Sequence, residues 1–140
     1  RASVTLARLR AIGIDWGGVR IGWAVGEKQH RVASARTPLR ATGSLVKDAE
    51  AIGALVLAEQ ADLVVVGVPE GADDERQARL CRTLASHIER MGILVITVDE
   101  SLTSVEADSI MVRAGLTGAE RRKRKDGEAA CRILERWFDA

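Results

Sequence analysis

The chain has 140 residues, of which 46% are hydrophobic and 29% are charged, and its formal net charge is +1. This composition is typical of a globular domain, and no apolar run approaches the roughly 20 residues of a membrane-spanning helix. We therefore expect one domain over residues 1–140, without a membrane segment. The first ten residues lack the long apolar core of a signal peptide, which predicts a cytoplasmic protein.

The first 40 residues read as an antiparallel meander. Strands are expected at Arg10–Asp15, Arg20–Gly26 and Val32–Leu39, joined by short connections in which glycine is frequent. The two cysteines, Cys81 and Cys131, lie within apolar helical patterns and have no partner at metal-ligand spacing. We expect both to be buried free thiols.

From residue 43 onward the pattern alternates between helix and strand. A helix is expected over Gly43–Gln60, and the β-branched run Leu63–Val68 is typical of a strand buried on both faces. A second helix, with Cys81, Leu84, Ile88 and Met91 on its inner face, should end at Gly92, before a strand at Ile93–Val98.

The C-terminal third is expected to be helical except for one loop. A capping box predicts a helix over Ser104–Ala114, and Leu116–Lys125 is read as a loop. Asp126 would then open a last helix whose inner stripe is Ala130, Ile133 and Trp137. The element order βββαβαβαα indicates an α/β protein, with a mixed five-stranded sheet and helices on both faces.

Several acidic residues stand at the ends of these elements. Asp15 ends the first strand, Glu100 follows the last strand, and Asp126 shares the inward stripe of the last helix. Alternative roles are a turn hydrogen bond for Asp15, a solvated turn for Glu100 and a plain helix cap for Asp126. Glu70 is a fourth candidate. If the strand order is 3-2-1-4-5, Glu70 lies one strand away from Asp15, whereas Glu100 lies two strands away.

Carboxylates gathered at one edge of a sheet suit Mg²⁺ or Mn²⁺ rather than zinc, and the two histidines show no ligand spacing. Two such ions could hydrolyse a phosphodiester bond. The basic block Arg121-Arg122-Lys123-Arg124-Lys125 stands directly before Asp126, where it would deliver a phosphate chain to the metal ligands. The alternative reading of this block is a solvated loop.

Four stretches of the chain together resemble the YqgF/RuvX family: GIDWGGVRIGWAV at residues 13–25, VGVP at 66–69, DESLTS at 99–104 and KDGEAA at 125–130. The match covers nearly the whole chain in order. The resemblance implies a ribonuclease H-like fold with strand order 3-2-1-4-5, related to Holliday-junction resolvases. In bacteria it also implies a pre-16S rRNA nuclease that acts at the 5′ end.

Carried over by position, the family's catalytic and metal-binding acids fall on Asp15, Glu100 and Asp126, which moves the choice of second acid from Glu70 to Glu100. Arg20, together with the block 121–125, is a predicted nucleic-acid contact. Two departures matter. Ser101 stands where the family usually has arginine, and the loop of residues 70–75 is acidic, which would repel a phosphate chain unless it held a metal.

The sequence therefore predicts a Mg²⁺- or Mn²⁺-dependent nuclease that acts on structured RNA during ribosome maturation, with the ribosome as a candidate partner. A Holliday-junction resolvase or another DNA nuclease is the nearest alternative, and branched DNA is then the substrate. A catalytically silent nucleic-acid-binding module is a third. Monomer and homodimer both remain open, although a resolvase would need a symmetric dimer for two matched cuts.

Overall fold

The computed structural model describes residues 9–71, 75–100, 115 and 118–140, with the backbone alone for residues 118–126. Within these residues the strands are β1 (Arg10–Trp16), β2 (Arg20–Glu27), β3 (Val32–Ala35), β4 (Leu39–Arg40), β5 (Leu63–Val68) and β6 (Leu94–Asp99). The helices are α1 (Leu45–Glu59), α2 (Glu75–Arg90) and α3 (Gly118–Asp139). The predicted helix at Ser104–Ala114 lies outside the described residues.

The strands form one mixed sheet in the order β3-β2-β1-β5-β6. β1 pairs antiparallel with β2 and parallel with β5, and β5 pairs parallel with β6. This arrangement confirms the predicted order 3-2-1-4-5, with β5 and β6 as the fourth and fifth predicted strands. The carboxyl ends of β1, β5 and β6 consequently meet at one edge of the sheet.

The sheet has six strands rather than the predicted five, because the segment expected as one strand over Val32–Leu39 is divided. β3 and β4 both pair with β2, and the chain between them leaves the ladder. Pro38 has no N–H to donate and restricts the backbone of the preceding Thr37. The Thr37 carbonyl instead accepts a hydrogen bond from Trp23 Nε1 at 2.7 Å.

Helices cover both faces of the sheet, as predicted. Side chains of α1 and α2 pack on the face of β1 that carries Ile12 and Ile14. Side chains of α3 pack on the opposite face, around Ala11. Both cysteines are buried and free, as expected, with Cys81 in the first of these cores and Cys131 in the second.

Helix α3 begins at Gly118, eight residues before the predicted start at Asp126. The expectation of a loop up to Lys125 was therefore wrong for residues 118–125, as was the alternative that Asp126 caps the helix. Ala, Glu, Arg and Lys are all strong helix formers, so the basic block extends the helix instead of interrupting it. The predicted inner stripe is confirmed, since Ala130, Ile133 and Trp137 are all buried.

Helix α3 approaches the sheet closely at Gly13 of β1. A Cβ atom at this position would lie 2.7 Å from Leu134 Cγ and 2.8 Å from the Ala130 carbonyl oxygen. We expect Gly13→Ala to lower the free energy of unfolding by about 1–3 kcal/mol, because the helix must move away from the strand. Urea unfolding measures this loss, and Gly18→Ala is the matched control, since a Cβ there meets nothing within 4 Å. Equal stability of the two variants would contradict this packing.

Across the part of the chain that the structure describes, no helix has the length and apolarity needed to cross a membrane.

Candidate active site

Asp15 lies near the end of β1, on the face of the sheet that α3 covers, because it is two residues beyond Gly13 and side chains alternate along a strand. Its partner on the antiparallel neighbour β2 is Gly22. On the other side, the pairing of Ile14 with Val66 places Asp15 beside Gly67 of β5. The half-buried carboxylate therefore has no side chain directly beside it on either neighbouring strand.

Glu100 immediately follows β6, and its backbone N–H donates to the Val68 carbonyl at 3.0 Å, which continues the ladder between β5 and β6 by one step. The residue is only 9% exposed. A Cβ atom on Gly67 would lie 3.1 Å from Glu100 Cβ, so Glu100 occupies the same face of the sheet as Gly67. The backbone hydrogen bond to Val68 therefore fixes the position of the Glu100 Cα and Cβ atoms.

The carboxyl groups of Asp15 and Glu100 share a hydrogen bond. They come from strands that are separated by the whole width of β5, about 10 Å at the usual strand spacing. The contact is possible because the intervening position, Gly67, has no side chain and because glutamate is long. The structure therefore brings together two of the three acids predicted from the sequence.

Burial, the negative charge of Asp15 and the hydrogen bond with Asp15 raise the pKa of Glu100 from 4.5 to about 9. The charge of Asp99 acts in the same direction, and that of Arg136 opposes it. Two carboxylates this close cannot both ionise cheaply, so the metal-free pair holds a proton at neutral pH. A cation placed between them would remove that cost by compensating both charges.

Cys81, which lies in the core beneath α1 and α2 on the opposite face of the sheet from the acidic pair, is not a candidate nucleophile. Burial raises the pKa of its thiol to about 12, and the charges of Glu100 and Asp15 contribute to the rise. Since the thiolate is the reactive form, a thiol with this pKa stays protonated and inert at neutral pH.

Glu70, which strand spacing alone favoured as the second acid, has a different partner. Its carboxylate Oε2 accepts a hydrogen bond from Arg82 Nη1 at 3.0 Å, and both side chains are about half exposed. Glu100 rather than Glu70 contacts Asp15, because the Glu100 side chain passes through the space that Gly67, which has no side chain, leaves open.

The third predicted acid, Asp126, lies within α3, one turn before Ala130. Ala130 is the residue whose carbonyl approaches Gly13, two positions from Asp15. The side chain of Asp126 is outside the described part of the structure, so its role as a ligand stays a prediction. Among the described residues no group of three or more potential metal ligands occurs.

The predicted nucleic-acid contacts are in two places. Arg20 is exposed at the start of β2, and alternation along the strand places it on the same face as Gly22, the partner of Asp15. The block of residues 121–125 belongs to α3, and its side chains are outside the described part. Arg20 is thus the one predicted contact that the described geometry locates on the face that carries Asp15.

Two features of the site were not predicted from the sequence. The spacer role of Gly67 was open to inference, since this glycine interrupts a run of β-branched residues. The buried Asp48, which accepts a hydrogen bond from Trp16 Nε1 at 2.9 Å, gave no such signal, because an acid within an amphipathic helix normally faces solvent.

Comparison with known proteins decides the family. The family model described as "RuvX: Holliday junction resolvase" matches residues 9–140. The chain belongs to the RuvX family. This RuvX protein is 38% identical over 135 residues to a protein of Anaeromyxobacter sp. (strain K) named "Putative pre-16S rRNA nuclease", with 94% of the chain and 97% of the relative covered. An Acaryochloris marina protein of the same name is 35% identical, with 96% and 94% covered.

Solved structures identify the fold of this RuvX protein as that of the ribonuclease H-like resolvases. The structure of T. thermophilus RuvC in complex with a Holliday junction substrate superposes with a TM-score of 0.55 at 16% identity, covering 93% of both chains. A fowlpox virus resolvase with Holliday junction DNA gives a TM-score of 0.56 at 9% identity, covering 94% and 97%. These structures show the ribonuclease H-like fold. The family match and the names of the curated relatives show that the protein is a nuclease, a hydrolase of phosphodiester bonds.

Proposed function

We propose that this RuvX protein hydrolyses phosphodiester bonds in structured RNA during maturation of the 5′ end of pre-16S rRNA. The observation that carries the proposal is the buried contact between Asp15 and Glu100 at the carboxyl edge of the sheet. The names of the curated relatives support RNA as the substrate. In this proposal the nuclease domain spans residues 1–140 and acts in the cytoplasm, with the ribosome as its partner.

We propose Asp15, Glu100 and Asp126 as the ligands of Mg²⁺ or Mn²⁺. Asp15 and Glu100 fit a divalent cation, because their carboxyl oxygens are suitable donors and already lie in contact. A cation between them would offset the repulsion of the two negative charges. A bound divalent ion supplies Lewis-acid activation of water and of the scissile phosphate. Asp15 and Glu100 would give up their shared proton to bind it, and the hydrogen bond from the Glu100 N–H to Val68 would keep that residue in place.

The basic residues would hold the substrate backbone. Arg20, on the same face as Asp15, is placed to contact a phosphate near the cut, and the block of residues 121–125 would hold the chain farther along α3. Such contacts read phosphates and carry no sequence information, so selection of the cut site must come from the shape of the RNA.

A Holliday-junction resolvase is the second candidate, favoured by the description of the family and by the two resolvases of the same fold. The test is cleavage of a labelled RNA that carries the 16S 5′ leader, beside a four-way DNA junction, by the wild type with Mg²⁺. We expect cuts in the RNA and none in the junction. Symmetric cuts in the junction alone, made by a dimeric protein, would replace the proposal with a resolvase. Binding to both without cuts would indicate a silent module.

A further inference from the structure

A cavity of about 200 Å³ opens on the side of the sheet opposite the acidic pair. It is lined by Trp16, Gly18, Gly43, Leu45, Arg76 and Leu80. Trp16 directly follows Asp15 in β1, so the two side chains leave the strand on opposite faces at the same edge of the sheet. A ligand in the cavity would therefore lie at the same edge of the sheet as the proposed cleavage site but on the opposite face, beyond the turn between β1 and β2.

The Trp16 wall of the cavity is held in a fixed position. Its Nε1 donates to Asp48 Oδ2 at 2.9 Å, and its backbone carbonyl accepts from Gln77 Nε2 at 3.0 Å. The other carboxylate oxygen of Asp48 accepts from the N–H and the hydroxyl of Thr42, at 2.9 and 2.8 Å. The polar atoms of Trp16 are thus satisfied within the protein, and the cavity is formed before a ligand arrives.

The other walls are apolar or made of backbone. Gly18 and Gly43 leave open space, since a Cβ atom on either would meet nothing within 4 Å. Gly43 also has a φ of +84°, a conformation that other residues rarely adopt. Leu45 and Leu80 supply aliphatic surface. The chemistry of these walls suits the face of a flat aromatic group whose polar edge remains towards solvent.

Arg76 is the charged residue among the six that line the cavity, and it is exposed in the first turn of α2. A guanidinium at the rim can stack on the face of an aromatic ring. The cavity is smaller than the roughly 300–1,000 Å³ of pockets that enclose whole drug-sized ligands. It can therefore enclose one part of a larger molecule while the remainder lies outside.

We propose that this cavity receives one unpaired nucleobase of the nucleic-acid substrate, with the Arg76 guanidinium stacked on the base rather than paired with a phosphate, since the acidic segment of residues 70–75 directly precedes Arg76. The inference rests on the proposed function and deepens it, because it assigns the substrate a single-stranded nucleotide at the same edge of the sheet as the proposed cut. Unstacked bases inserted among apolar and aromatic side chains are the usual means by which proteins recognise single-stranded RNA. A base held here would lead the strand across the turn between β1 and β2 to Asp15.

The test is direct binding of a labelled 12-nucleotide single-stranded RNA in EDTA, measured by fluorescence anisotropy, so that it does not depend on cleavage. We expect Arg76→Ala to weaken binding about tenfold, which corresponds to about 1.4 kcal/mol, and Arg76→Lys to restore part of the loss. The matched control is Arg79→Ala, since Arg79 is exposed on the same helix but does not line the cavity. It should weaken binding less than twofold.

A second arm replaces every base of the RNA with an abasic site, because an unstructured strand that lacks one base can shift its register and offer another. The abasic RNA should bind the wild type about tenfold more weakly than the intact RNA does, whereas Arg76→Ala should bind the two RNAs with similar affinity. Equal binding of the two RNAs by the wild type, or equal losses in Arg76→Ala and Arg79→Ala, would overturn the proposal. Failure of the proposed nuclease function would appear differently, as binding with this same pattern but no metal-dependent cuts.

Discussion

Asp15→Asn should reduce the rate of RNA cleavage by about a thousandfold or more. The substitution keeps the size of the side chain but removes the negative charge that faces Glu100, and metal ligation of this kind is worth several kcal/mol at the transition state. Single-turnover cleavage with Mg²⁺ measures the loss. Affinity for the RNA should change little, because phosphate contacts supply most of it.

The matched control for this substitution is Asp139→Asn, at the exposed end of α3, where the carboxylate pairs with Arg31. It should cleave like the wild type and unfold at a urea concentration similar to that of the wild type. Asp126→Asn should behave like Asp15→Asn if it is the third ligand. Full activity in Asp15→Asn or Asp126→Asn would remove that residue from the site.

Glu100→Gln should abolish cleavage and, in the absence of divalent ions, make the protein more stable at neutral pH. The pKa of Glu100 is raised from 4.5 to about 9 in the folded state, so folding favours its protonated form. The wild type should therefore lose stability as the pH rises from about 4.5 towards 9, whereas glutamine carries no proton to lose. At pH 8 we expect the variant to be more stable by roughly 1–3 kcal/mol.

Urea unfolding in EDTA at pH 4.5 and pH 8 checks this expectation. The difference between variant and wild type should be small at pH 4.5 and should grow with pH. Glu50→Gln, on the exposed face of α1, is the matched control and should show no such trend. A Glu100→Gln protein that is no more stable than wild type at pH 8 would mean that Glu100 does not meet Asp15 in a dry environment.

The meander and the parallel pairing of the buried strands were predictable from local patterns. Three short strands with tight connections favour a meander, and a helix between the apolar runs at β5 and β6 favours parallel pairing in the interior. The position of β5 beside β1 was implied by the family resemblance. The division into β3 and β4 was missed, although Pro38 marks it.

The start of α3 was missed for an electrostatic reason. Five consecutive cations were read as a solvated loop, whereas their high helix propensity and the strongly apolar stripe that follows extend the helix to Gly118. Local sequence could not show the contact of Asp15 with Glu100 either. This contact depends on the register of β1, β5 and β6 and on the absence of a side chain at Gly67. Only the family resemblance selected Glu100 over Glu70.

Cleavage of the 16S leader RNA by the metal-free wild-type protein, as Mg²⁺ or Mn²⁺ is added back, tests the proposed metal site directly. We expect no cleavage in EDTA, and cleavage that appears and saturates with either ion. Undiminished cleavage in EDTA would contradict the claim that Asp15 and Glu100 form a metal-dependent nuclease site.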